Sequence, residues 1–280
     1  MSQTPRRIAL VTGANKGIGF AIVRALCKQL DNGIVYLTAR SEERGREAVA
    51  KLSQEGLQPK FHQLDITDPA SVTKLRDFLK ETHGGLDILV NNAGMAFKVN
   101  ATESFGVQAS VSMATNFTAL LEMNRVLVPL IRPHGRIVNV GSFTGRLYAF
   151  EKMSKELQGR FQGVKTEQDV EQLMQEFVTC ANAGDHMSKG WANSAYATSK
   201  MGVIALTRVQ AADIAKDKTK EDILMTCCCP GYVSTDMSSF KGTKTIDEGA
   251  ITPVYCALLP PGSAEFNGKM FSDKELYEFW

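Results

Sequence analysis

Residues 7–19 read RIALVTGANKGIG: an apolar run passes into a turn with glycines at 13, 17 and 19 and then into a helical pattern. Glycines at this spacing let the chain turn tightly, bring its backbone against an anion and seat the following helix on the strand. The helix start adds free amide donors aimed at the same point. A strand ending this way predicts the first strand of a nucleotide-binding α/β sheet.

Five further runs rich in Val and Ile follow: IVYLTAR from 34, KFHQLD from 60, LDILVNN from 86, GRIVNVGS from 135 and ILMTCCCPG from 223. With both faces apolar, they suit parallel strands covered by helices on each side. GIGFAIVRALCKQL and SVTKLRDFLKETH, between the runs, carry apolar residues at helical spacing. The alternation predicts a Rossmann-type, doubly wound parallel sheet in one domain, 1–280. Residues 145–192 interrupt it, with KMSKELQGRFQG and EQDVEQLMQEFVTCANAG reading as two amphipathic helices. This helical insertion is expected at the sheet's carboxyl edge, as a lid or as a solvated excursion.

Composition narrows the function. The chain has 280 residues, 44% of them apolar, enough for a real core. Its 32 basic and 30 acidic residues balance without a basic block, so nucleic acid is an unexpected partner. The opening MSQTPRRIALVTG holds no apolar stretch of signal-peptide length, and no run approaches a membrane span, which predicts a cytoplasmic protein. The six cysteines lack disulfide or zinc-ligand spacing and are read as thiols, with no metal site. Sequons at Asn100 and Asn116 are read as accidental.

About twenty positions past the glycines, an acidic residue would hold a ribose 2′-hydroxyl. Here the second strand ends in Thr38, Ala39 and Arg40, with Lys16 inside the turn and Arg44 one helical step on. Cations converging there suit a 2′-phosphate, which predicts NADP(H). Asn15 and Ile18 complete the turn. Asp65 in QLDI, beside Ile66, is placed to accept from an adenine amino group or to cap a helix. Asn92, Ala93 and Gly94 put small residues where backbone passes the cofactor, or end a strand.

At 194–200 the chain reads SAYATSK. Residues four apart share one helix face, so Tyr196 and Lys200 point to one site. An ammonium about 4 Å from a phenol is worth up to about 4 kcal/mol, enough to lower its pKa of about 10 by up to roughly three units. The pair therefore predicts an acid able to protonate a carbonyl oxygen. Ser142, ending GRIVNVGS, is placed to donate to the same oxygen.

Taken in order, TGANKGIG, NNAG, NVGS, YATSK and PGYVSTDM resemble the short-chain dehydrogenase/reductase family over nearly the whole chain. The long segment before YATSK, the LTAR tip and CCPG are similar to its monomeric NADPH-dependent carbonyl reductases. The resemblance implies pro-S hydride transfer to aldehydes, ketones or quinones, with Tyr196 as proton donor, Ser142 orienting the carbonyl and Lys200 also gripping the ribose. Asn116, in MATNFTAL, would support a water relay to Lys200. Gly141 departs from the family pattern, which often has serine or threonine there. Val233 and Thr235 are expected near the nicotinamide, within a wall of Pro230, Gly231, Asp236 and Met237. Tyr232 and Cys229 are expected on the substrate side, Cys229 or a neighbour beside a site for glutathione conjugates, although a cysteine run in a buried strand is also ordinary packing. SSFKGTKTIDEG reads as a polar, mobile loop. A monomer is implied, because the insertion would cover the helices through which relatives associate. The alternatives are an NADPH-binding sensor or scaffold without turnover, and a steroid- or prostaglandin-specific oxidoreductase.

Overall fold

The computed structural model describes residues 6–278, so the ends of the one-domain reading and the first five residues of the amino-terminal reading lie outside the described residues. Strand β1 (Ile8–Val11) leads into α1 (Gly17–Gln29), β2 (Ile34–Ala39) into α2 (Glu42–Gln54) and β3 (Lys60–Gln63) into α3 (Pro69–His83). Strand β4 (Leu86–Asn91) is followed by α4 (Phe105–Met113), a π-helical turn at Ala114–Thr118 and α5 (Ala119–Leu127). Then come β5 (Ile131–Val140), α6 (Lys155–Gly163), α7 (Glu167–Ala183), α8 (Ala195–Lys216), β6 (Leu224–Cys229), α9 (Ile246–Ala257), β7 (Met270–Ser272) and β8 (Glu275–Leu276).

The eight strands form one sheet in the order β3-β2-β1-β4-β5-β6-β7-β8, parallel except for the antiparallel last pair. This is the doubly wound sheet that the alternation predicts. Strand order reverses beside β1, so the carboxyl ends of β1 and β4 flank the crevice where open sheets bind ligands. Successive side chains leave opposite faces. Ala9 and Val11 pack with Phe20, Ile22 and Leu26 of α1 and Val254 of α9. Ile8 and Leu10 pack with Leu75 and Leu79 of α3, Met123 of α5 and Ile214 of α8.

Several expectations change. Strand β3 is not apolar on both faces: Lys60 and Gln63 are exposed, because it is an edge strand. β5 begins at Ile131 rather than Gly135, and its register against β4 shifts where Leu86 faces Ile131 and Ile88 faces Arg136. That irregularity accommodates Pro133 and His134, whose φ is 61°. β7 and β8, at three and two residues, are too short to show a periodicity.

The two helices expected in 145–192 are present, but α6 and α7 do not lie on the sheet's carboxyl edge. They pack outside α4 and α8. Gly106 of α4 and Gly202 of α8 make this fit possible: an added Cβ would lie 2.6 Å from Asn182 Oδ1 and 2.5 Å from Met174 Sδ respectively. Phe177 and Phe161 meet Trp191 in the shared apolar cluster. SSFKGTKTIDEG is likewise more ordered than a polar loop: Lys244 pairs with Val233, and Thr245 and Glu248 form the capping box that starts α9.

Candidate active site

The glycine turn is shaped by its contacts. Gly13 has φ of 61°, and a Cβ there would lie 2.8 Å from Ala93 Cα, so β1 and β4 approach more closely than a side chain permits. The Thr12 hydroxyl accepts from the Asn92 and Ala93 amides at 3.0 and 2.9 Å, while Asn92 Nδ2 donates to the Thr12 and Gly13 carbonyls at 2.9 and 3.1 Å. Asn92 thus braces the turn with its side chain, and Gly19 packs beneath it. Helix α1 opens at Gly17, whose φ is 60°, and no side chain caps it, which leaves its amides directed at the crevice. Asn15 and Ile18 stay half-buried along the turn. These features fit a dinucleotide's pyrophosphate.

At the tip of β2, Arg40 and Arg44 are exposed and make no ion pair among the described residues. They are available to a phosphate. Lys16, expected to join them, is instead paired to Asp236 at 2.5 Å, while Lys98 donates to the Asp236 carbonyl and, at 3.2 Å, to Ser239. Asp65 uses one carboxylate oxygen as a local brace, accepting from the Thr67 amide and hydroxyl at 2.9 and 2.7 Å. Burial would raise its pKa, but those bonds and the Arg40 charge hold it below the usual value. Its neighbour Ile66 is half-buried.

Four residues converge past β4. Asn116 sits in the π-helical turn, 1% exposed, with Oδ1 accepting from the Met95 amide at 2.8 Å and Nδ2 donating to the Met95 carbonyl and Ser199 Oγ, both at 2.9 Å. A sequon so buried is no glycosylation site. A Cβ on Gly94 would lie 3.1 Å from Asn116 Oδ1 and 3.7 Å from Lys200 Nζ, so the glycine lets both reach one point. Ser142 follows β5, and Ser194 caps α8 through the Ala197 amide at 3.3 Å, placing Tyr196 in the first turn opposite Ser142. The Ser142 hydroxyl stands beside the Tyr196 phenol, near enough to favour its ionised form.

The expected coupling of Tyr196 to Lys200 needs correction. Lys200 Nζ donates to the Val140 carbonyl at 2.7 Å and lies 5.9 Å from the tyrosine ring centre. Burial pushes the Tyr196 phenol up to about 12, Cys229 adds to the rise and the Ser142 hydroxyl opposes it. Burial also pushes the Lys200 ammonium below its usual value. A carbonyl at the end of β5, not the phenol, takes the ammonium, and loss of water from around the phenol outweighs a cation at that distance.

The wall after β6 is mixed. Gly231 turns the chain with φ of 84°, and Thr235 lies beside Gly17, 3.5 Å from where a Cβ would stand. Val233 is buried against Gly249, so it presents backbone rather than side chain to the crevice. Tyr232 and Met237 are exposed, and Pro230 is half-buried. Cys229 is buried, with its sulfur accepting from the Gly231 amide at 3.4 Å. Burial raises all three thiols of the run, Cys227 to about 12, so they stay protonated and unreactive. Thr12, Ser199 and Thr144 take part without having been singled out. A hydroxyl beside a glycine or two positions past a serine was the only available signal.

A nucleotide crevice beside a half-buried tyrosine and a buried serine, lysine and asparagine defines a dehydrogenase-type site. The chain belongs to the short chain dehydrogenase family, whose model matches residues 7–154 and 177–245. The unmatched stretch between them is α6 and the first part of α7. The chain is 51% identical over 269 residues to rat (Rattus norvegicus) Carbonyl reductase [NADPH] 3, covering 96% of each chain. It is 50% identical over 272 residues to rat Carbonyl reductase [NADPH] 1, covering 97% of this chain and 98% of that one. Salutaridine reductase from Papaver somniferum is similar in structure, with a TM-score of 0.84 and 33% identity over 96% of this chain and 100% of its own.

Proposed function

We propose that the chain is an NADPH-dependent carbonyl reductase that converts aldehydes, ketones and quinones to alcohols or hydroquinones. The observation that carries this reading is the Ser142–Tyr196 hydroxyl pair, set beside the glycine turn and backed by Lys200 and Asn116. NADPH, held by the turn through Gly13 to Gly19, by Arg40 and Arg44 and by the Thr235 loop, supplies the hydride when bound. Ser142 donates a hydrogen bond to the carbonyl oxygen and fixes its position. Tyr196 gives its proton to that oxygen as charge builds on it. A phenol protonated at neutral pH is already in the form reduction requires. Lys200 holds the end of β5 through Val140 and supports the ribose, and Asn116 holds Met95 and Ser199 behind them.

Burial of Asn116, Lys200 and Ser142 in contact with one another's neighbours favours catalysis over mere cofactor binding. The chain forms one structural unit, acts as a cytoplasmic monomer, and takes small carbonyl compounds, glutathione conjugates among them, past Tyr232 and Cys229. Among the described residues no helix is long and apolar enough to cross a membrane.

NADPH oxidation measured against a carbonyl panel, including a quinone and a glutathione-conjugated ketone, tests the reading. Turnover is expected with NADPH well above NADH, and Tyr196→Phe is expected to lose turnover by at least about a hundredfold while binding NADPH normally. Tight cofactor binding with no substrate turned over would leave a sensor instead.

A further inference from the structure

The Ser142 hydroxyl has one proton to give and two lone pairs that can accept. Both acceptor positions are taken by one residue: the Thr144 amide donates to Ser142 Oγ at 3.2 Å and the Thr144 hydroxyl donates at 2.9 Å. What remains to Ser142 is its own proton, facing Tyr196. Were a lone pair free, the phenol could turn its proton onto Ser142 and away from a substrate. With both filled, Ser142 acts only as a donor, and the phenolic proton has no competing acceptor there.

Thr144 is held firmly enough for this task. The Gly145 amide donates to the Ser142 carbonyl at 3.0 Å, and Gly145 lies against the backbone of α8 at the residue that bears the ammonium, 3.0 Å from Lys200 C and 2.9 Å from Met201 N measured from a built Cβ. On the other side the Gly141 amide, just before this segment, donates to the Cys228 carbonyl of β6 at 2.8 Å. The segment 142–145 is therefore clamped between β6 and the helix that carries Tyr196, so Thr144 and the phenol share one frame.

We infer that Thr144 is a positioning residue for proton transfer, fixing Ser142 as a hydrogen-bond donor to the substrate carbonyl and keeping the Tyr196 proton directed at it. This rests on the reductase reading above.

Thr144→Val removes the hydroxyl at nearly constant volume and leaves the amide; Thr144→Ser keeps the hydroxyl. The valine variant is expected to lose about tenfold in kcat, with KM and the NADPH Kd changed less than about twofold, and serine to restore kcat to within about threefold of the parent. In a Ser142→Ala background the same valine change is expected to cost nothing more, since its effect runs through the serine. Full kcat in Thr144→Val, or an equal further loss in the Ser142→Ala background, would overturn the inference and leave Thr144 as a loop residue. If the valine variant does not fold by circular dichroism, Thr144→Ala carries the same expectations. Full activity of Ser142→Ala and Tyr196→Phe would instead overturn the reductase mechanism beneath it, and Thr144 with it.

Discussion

Burial decides the state of Tyr196. The phenol lies beside a lysine one helical turn away, yet that ammonium is bonded to Val140 and the loss of water around the ring dominates. In the free protein the difference between parent and Tyr196→Phe in ultraviolet phenolate absorbance should show no ionisation until pH passes the ordinary tyrosine value of about 10. A midpoint near neutrality would restore the direct lysine coupling. Helical spacing made the shared face of Tyr196 and Lys200 legible, because four residues is close to one turn. It could not reveal which acceptor the ammonium would reach, since Val140 is sixty positions distant in the chain. Lys16 went the same way: its charge was visible, but its pairing with Asp236 needs a loop 220 residues away.

At the scale of elements, α7 has the largest consequence. It lies on α4 and α8, the two helices flanking the site, and fills that face with Met174, Phe177 and Ala181. Its amino end is tied to the sheet through buried amides: Glu167 Oε1 accepts from Gln210, Gln210 Oε1 from Asn124, and Asn124 Oδ1 from Asn91 of β4, each at 2.7 Å. With α7 occupying this face of α4 and α8, static light scattering is expected to give the mass of one chain. A mass of two or four chains would show that α7 leaves another surface to associate. Strands β1, β2, β4, β5 and β6 could be read because they are buried on both faces and long enough to show it. The π-helical turn that carries Asn116 could not, because one extra residue in a helix leaves the apolar spacing almost unchanged.

Across the whole molecule, one buried cation ties β5 to the loop before β6 and the loop after α9. Arg136 is 1% exposed and donates to the carbonyls of Gly135, Asp222, Leu259 and Pro260 at 2.6–2.9 Å and to the Asp222 carboxylate at 3.2 Å. Burial alone would raise the Asp222 pKa. Hydrogen bonds from His134, Arg136 and the Gly262 amide, with the Arg136 charge, hold it below the usual carboxylate range. A depressed carboxylate stabilises the fold above its unfolded value of about 3.9, and that contribution fades as pH falls through the lower folded value. Asp222→Asn is expected to cost about 2–3 kcal/mol in denaturant unfolding at pH 7, with the gap to the parent closing below about pH 4. An unchanged gap in acid would mean that the charge of Asp222 plays no part. The sheet's two margins complete the picture: β3 is four residues long with Lys60 and Gln63 outward, and β8 is two residues reached through a turn at Asp273 and Lys274, both at positive φ. Neither margin offers a long greasy ribbon onto which a stray strand could zip, so concentrated stocks should resist fibril growth even though most of the sheet's interior is aliphatic.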